Sequence, residues 1–187
     1  MTEATDDELM QRVRDGDVAP LGVLFERHQV RLYNFFVRLT GRTAVSEDLV
    51  QEVFLRVLKY RHTYRGQSQF RTWLYQIARN ARADHYRKRW RESELDDETS
   101  RTVPSTAPSV SEVLAGSQEA ELIRRALQKL PEDKREVLVL SRYQDMRYED
   151  IGRVLGCTEG TVKVRVHRAM KELRAAYDAL VREGQAQ

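Results

Sequence analysis

The chain is poor in the residues that build disulfide scaffolds, sheets or membrane spans. It has one cysteine, Cys157, in 187 residues. An intrachain disulfide is therefore excluded, and nothing in cysteine usage points to an oxidising compartment. Proline (4) and glycine (9) are scarce, which favours helices over sheets. No run approaches the roughly 18 apolar residues that a membrane-spanning helix needs, so no membrane insertion is expected. The first residues, MTEATDDELMQRVRDGD, are acidic and polar and do not read as a secretory signal. A cytoplasmic protein is the expectation. His28, His62, His85 and His167 have no cysteine or histidine partner at metal-ligand spacing. There is no Gly-rich phosphate loop, and no carboxylates stand out as an acid–base pair. No catalytic residue, metal or cofactor is predicted.

What the chain has is charge and helical periodicity. Charged residues make up 33% and hydrophobic residues 41%, enough for real cores. The net charge is only +3, so local clustering must carry any inference about nucleic acid.

The stretch DMRYEDIGRVLGCTEGTVKVRVHRAMKELR, residues 145–174, reads as helix, tight turn, helix. Tyr148 to Leu155 is a short amphipathic helix with Ile151, Val154 and Leu155 on one side. Gly156 stops it, Cys157 fills the turn and Thr158 is placed as the next N-cap. In the second helix Val162, Val166, Ala169 and Leu173 recur at offsets of four, three and four, one apolar stripe at the helical period. Thr161, Val164, Arg165 and Arg168 point away from it, with Lys163 and His167 on the flanks. A helix packed on one side and basic on the other is what the major groove accepts from a helix-turn-helix. A helical hairpin with a solvated basic face is the plainer alternative.

Ahead of it the pattern is helical almost throughout. Thr5 or Asp6 can cap a first helix that Gly16 ends. Pro20 suits the first turn of a long helix that Gly41 terminates, with Leu21, Leu24, Phe25, Leu32, Phe35, Phe36 and Leu39 outlining its core face. Ser46 is expected to cap EDLVQEVFLRVLKY. A polar loop, RHTYRGQSQ, leads into FRTWLYQIARNARADHYRKRWR, one long helix with Phe70, Trp73, Leu74, Ile77 and Ala81 packed. From Glu92 to about Gly116 acidic residues, Ser, Thr, Pro104 and Pro108 crowd together, the composition of a flexible linker. Helical pattern resumes at Ser117, and Pro131 breaks it before EDKREVLVLSRYQ. The expectation is an all-α protein of two small helical domains, 1–91 and 117–187, joined by a flexible acidic linker, 92–116.

Three further features can carry binding. Tyr75, Arg79, Arg82, Tyr86 and Arg89 recur at four, three, four and three, with Arg87, Lys88 and Arg91 bunched at the end. Such a stripe can hold phosphates and stack on unpaired bases, or it can be a solvated face. The loop from Tyr64 to Gln69 is small, polar and amide-rich. It can wrap a single base or serve as a plain connector. Asp48, Gln51, Glu52 and Arg56 fall on the outer face of the third helix, facing solvent or a basic partner.

In this order, SEDLVQEVFLRV, YRGQSQFRTWLYQIARNARADHYRKR, LQKLPEDKREVLVL and YEDIGRVLGCTEGTVKVRVHRAMKELR resemble segments of bacterial sigma factors of the sigma-70 family, in the extracytoplasmic-function (ECF) group. The resemblance spans Leu21 to Arg91 and Glu119 to Arg174. It implies a non-catalytic specificity subunit that binds core RNA polymerase, through its β′ coiled coil and β flap, and promoter DNA. Asp48, Gln51 and Glu52 would contact the β′ coiled coil. Arg65, Gly66, Gln67, Ser68 and Gln69 would capture a flipped base of the −10 element, with Asn80 nearby. Arg79, Arg82, Arg87, Lys88 and Arg89 would hold strand or duplex phosphates. Thr161, Lys163, Val164, Arg165, His167 and Arg168 would enter the −35 major groove. The group often pairs with an anti-sigma factor. Larger sigma factors carry a further domain between these two, so the resemblance places this chain in the short group. Two positions depart from the pattern. Val164 stands where Ser is common, replacing a hydroxyl by methyls that can touch a thymine methyl. Gly152 stands where Ala is usual, at about 1 kcal/mol in helix propensity. The rival readings are an autonomous helix-turn-helix regulator, which would bind duplex DNA tightly without polymerase, and an interaction protein that binds a partner but drives no transcript.

Overall fold

The structure, a computed structural model, describes residues 4–66, 68–95 and 118–185. Gln67 of the predicted loop, residues 96–116 of the predicted linker and Ser117 lie outside them. Among the described residues there is no strand. The chain divides into two compact units, Met1–Tyr33 with Ala44–Ser105, and Asn34–Thr43 with Thr106–Gln187.

The first unit begins with α1, Asp6–Arg14. The Thr5 hydroxyl accepts from the Glu8 N–H, and Glu8 accepts from the Thr5 N–H at 2.7 Å, a complete capping box. Three acidic residues in the first turn face the positive end of the helix dipole. Gly16, with φ of 109°, turns the chain toward α2, Pro20–Thr40. Gly41 then adopts φ of 68°, as a helix stop requires. α3 runs Thr43–Tyr60. It starts before the predicted cap: Ser46 lies inside the helix and is fully buried. A 3-10 turn, Arg61–Thr63, and the loop precede α4, Phe70–Leu95. Leu9, Met10 and Val13 of α1, Leu24 and Leu32 of α2, Val53 and Val57 of α3, and Phe70, Leu74 and Ala78 of α4 are buried. The Phe25 and Phe54 rings meet edge to face with centroids 4.9 Å apart. Buried His28 shares a 2.6 Å hydrogen bond with Asp6 and meets the Phe70 ring edge to face.

In the second unit α5, Gln118–Lys129, is followed by α6, Glu132–Leu138, with Pro131 as the break. The Arg135 guanidinium donates to the carbonyls of Leu127, Gln128 and Leu130, at 3.0, 2.7 and 2.9 Å. It thereby satisfies acceptors that the end of α5 leaves without helical partners. The sequence predicts one helix through Gln144, but the ladder widens after Leu138. Val139–Tyr143 is a π turn closed by Gln144 N–H donating to the Val139 carbonyl at 3.0 Å. Asp145 takes φ of 50° and Met146 N–H reaches six residues back to the Leu140 carbonyl, so a left-handed Asp ends the helix in the place of Gly. α7, Tyr148–Leu155, ends at Gly156 with φ of 68°, and α8 runs Glu159–Gln185. Ile151, Val154, Val162, Val166 and Ala169 are buried; Leu173 is half-buried.

Candidate functional site

The helix-turn-helix face is built by two local devices. The Thr158 hydroxyl accepts from the Thr161 N–H at 3.2 Å and pairs with the Thr161 hydroxyl at 2.9 Å, so Thr158 caps α8 as its sequence position predicts. Cys157 N–H donates to the Gly152 carbonyl at 2.9 Å, which closes the turn. With Val162, Val166 and Ala169 inside, Lys163, Val164, Arg165, His167 and Arg168 are all exposed along one side of α8. Thr161 is half-buried against its cap. Lys163 pairs with Glu159 one turn back at 2.9 Å.

The loop between Tyr64 and Phe70 is held at its two ends by one carboxylate. Oδ1 of Asp7, on α1, accepts from the Tyr64 hydroxyl and, at 2.6 Å, from the Phe70 N–H. The second bond caps α4 from outside its own chain segment. Tyr64 is buried, with its ring 5.3 Å from that of Trp73. Burial foremost, then the Asp7 carboxylate, pushes its phenol far above the ordinary value, so it remains a donor. Arg65, Gly66 and Gln69 are exposed and Ser68 is half-buried. Gly66 has φ of 67°. Asn80 is exposed, ten residues along α4 from Phe70, about 15 Å by the helical rise.

The basic stripe on α4 is not continuous. Tyr75 and Arg82 are 1% and 5% exposed, so both drop out of the exposed face. The reason is angular. At about 100° per residue, Tyr75 and Arg82 fall at the edge of the wide arc that also buries Phe70, Leu74, Ala78 and Ala81. Arg79 and Arg89 are half-buried, whereas Arg87, Lys88 and Arg91 are exposed. Trp90, 69% exposed among them, was not singled out from the sequence. Its signal was there: a tryptophan flanked by arginines, off the packed stripe.

On α3, Asp48 and Gln51 are exposed and Leu55, one turn on, is 64% exposed. A large apolar side chain in the middle of a polar face is what an interface leaves uncovered, and periodicity alone did not mark it. Glu52 is half-buried. Arg56 donates to it at 2.6 Å and to Asp84 of α4 at 2.6 Å, and Asp84 also pairs with Arg87. The Arg56 hydrogen bond foremost, with Arg87, holds the Asp84 carboxyl below the usual carboxylate range.

A basic helix-turn-helix in one unit, and a loop leading into a basic helix in the other, are features of the DNA-binding class of protein. The known relatives are of that kind. Residues 24–92 match the family model for sigma-70 region 2, and residues 120–173 that for sigma-70, region 4. The chain is 36% identical over 166 residues to RNA polymerase sigma factor CarQ of Myxococcus xanthus, covering 88% of this chain and 93% of that protein. It is 38% identical over 142 residues to ECF RNA polymerase sigma factor EcfG of Rhodopseudomonas palustris, covering 75% and 76%. Among solved structures it is similar to the sigma factor RpoE of Bartonella quintana, determined with the anti-sigma factor NepR. That match has 29% identity, a TM-score of 0.67 and coverage of 80% of this chain and 91% of that one.

The chain belongs to the sigma-70 family of RNA polymerase sigma factors, in its ECF group. It is a promoter-directing subunit of RNA polymerase, which sets aside the autonomous regulator. Among the described residues no helix is long and apolar enough to cross a membrane.

Proposed function

We propose that the chain divides promoter recognition between residues 1–91 and 117–187, with 92–116 threading the polymerase between them. The exposed side of α8, from Lys163 to Arg168, reads the −35 element in the major groove, and this face opposite buried Val162, Val166 and Ala169 carries the reading. Arg168 and Arg165 are the groups suited to guanine, and Val164 to a thymine methyl. The loop residues Arg65, Gly66, Gln67, Ser68 and Gln69 take up a base from the opened −10 element, while Arg79, Arg87, Lys88 and Arg89 hold phosphates. Unstacking costs a few kcal/mol per base, which contacts in the loop offset. Asp48, Gln51 and Glu52, extended by Leu55, dock on the polymerase β′ coiled coil. The chain performs no nucleotidyl transfer and works in the cytoplasm. An anti-sigma factor is a candidate partner, since a similar protein, RpoE, is in complex with the anti-sigma factor NepR.

Run-off transcription tests this. Bacterial core polymerase with and without the chain is offered a library of promoter fragments. New transcripts from discrete starts, only with the chain present, support the reading, and their aligned upstream sequences give both elements. Tight binding of duplex without polymerase and without transcripts would overturn it.

A further inference from the structure

The loop assigned to base capture is closed by a residue far from it in sequence. Asp7 Oδ1 accepts from both Tyr64, just before the loop, and the Phe70 N–H, just after it. A carboxylate oxygen has lone pairs for two donors, so a single atom fixes the separation of the loop's ends. The rest of α1 follows the same side. Gln11, one turn after Asp7, lies at the loop tip: a methyl on Gly66 would sit 3.5 Å from its Nε2. α1 is itself immobilised, because the neighbouring Asp6 accepts from Arg27 at 2.8 Å and shares a hydrogen bond with His28, both on α2. α1 also lies ahead of residues 24–92, the part that matches the region 2 family model.

We propose that Asp7 is a positioning residue for −10 recognition: through Tyr64 and Phe70 it sets the shape of the base-capturing loop, so that α1 helps determine which base is accepted. This rests on the loop reading above. A pocket of about one base discriminates only if its walls are held, and displacements of about 1 Å at a reacting or binding group can cost up to about a hundredfold.

The test uses the full chain with core polymerase and a promoter library randomised across the −10 element, scored as the ratio of transcripts between best and worst base at each position. Asp7→Ala should reduce the ratio at the captured position by about tenfold, the scale of a hydrogen bond to a charged group, while −35 preference and affinity for core stay as in the unaltered chain. Asp7→Asn keeps an oxygen that accepts both bonds and should restore most of the ratio. Tyr64→Phe removes one bond with the ring retained and should give a smaller loss in the same direction, which keeps the test decisive if Asp7→Ala does not fold. Ser68→Ala and Gln69→Ala test the loop itself. If they alter the ratio and the Asp7 and Tyr64 variants do not, Asp7 has no positioning role. Equal loss of transcription on every base would make Asp7 merely structural and overturn the proposal too. If the loop variants also leave every ratio unchanged, base capture by this loop fails, and the role of Asp7 falls with it.

Discussion

A methyl group on Gly152 would lie 2.6 Å from the carbonyl oxygen of Cys157. That oxygen is backbone, held in the turn by the Cys157 N–H bond to the Gly152 carbonyl, and cannot swing aside as a side-chain tip would. The glycine that costs helix propensity in α7 is thus what allows the turn to close on it. Gly152→Ala gains about 1 kcal/mol of propensity but meets an overpacking cost of about 1–3 kcal/mol. Urea unfolding should show a lower midpoint with an unchanged slope. A more stable variant would show that the turn relaxes freely.

Asp48 and Glu52 sit four residues apart but differ in their attachments. Asp48 is exposed; Glu52 is tied through Arg56 to Asp84. Asp48→Arg should leave stability within about 0.5 kcal/mol and lower affinity for core polymerase by about tenfold or more. Glu52→Arg should do the same to affinity and also lower stability by about 0.5–1 kcal/mol, a value already discounted for exposure. Thermal melts beside a core-binding titration separate the two. Retained co-purification of Asp48→Arg with polymerase would remove this face from the interface.

Arg82 and Arg87 should part in their salt dependence. Arg87 is exposed, so Arg87→Ala should reduce the slope of log affinity against log salt by about 0.7–0.9 when holoenzyme binds promoter. Arg82 is buried. Arg82→Ala should leave that slope unchanged and lower stability by about 0.5–3 kcal/mol through lost packing. The opposite pattern would return Arg82 to the DNA.

Asp6 makes the first unit acid-sensitive. Burial pulls its pKa up, but hydrogen bonds from Arg27 and with His28, and their charges, outweigh this and hold it below the ordinary aspartate value. A depressed carboxyl pKa contributes stability that is fully present above the unfolded value and lost as pH falls through the folded one. The thermal midpoint should therefore fall below about pH 4, and Asp6→Asn should flatten that acid limb. Identical limbs in both proteins would contradict the assignment.

Local devices were readable from residues alone. Thr5 and Thr158 cap, Gly16, Gly41 and Gly156 take positive φ, and the α8 stripe separates packed Val162, Val166 and Ala169 from exposed Lys163 to Arg168. What escaped is what depends on a third element. Period 3.6 places Tyr75 and Arg82 beside the packed stripe of α4, but only the neighbouring helices decide how wide that stripe is. Ser46 reads as a cap, yet α3 extends back to Thr43 around it. The Asp7 bonds join residues 57 and 63 positions apart, and no local pattern announces them. The candidate base-reading face of α8 was thus more legible than the loop, whose ends a distant carboxylate holds.

α4 is one unbroken helix of 26 residues, Phe70–Leu95, that starts at the end of the loop and carries the basic cluster around Arg87 and Trp90. At 1.5 Å per residue the stretch from Phe70 to that cluster covers about 26–30 Å, somewhat less than the roughly 34 Å of one turn of duplex. In the proposed arrangement it is in effect a ruler: a base held by the loop and phosphates held by the basic end could not change their spacing independently. A single residue inserted between Arg79 and Arg87 would turn the basic end by about 100° and carry it about 1.5 Å further along the axis. In the proposed arrangement the length of this helix would therefore set how far upstream of the opened base the promoter remains double-stranded.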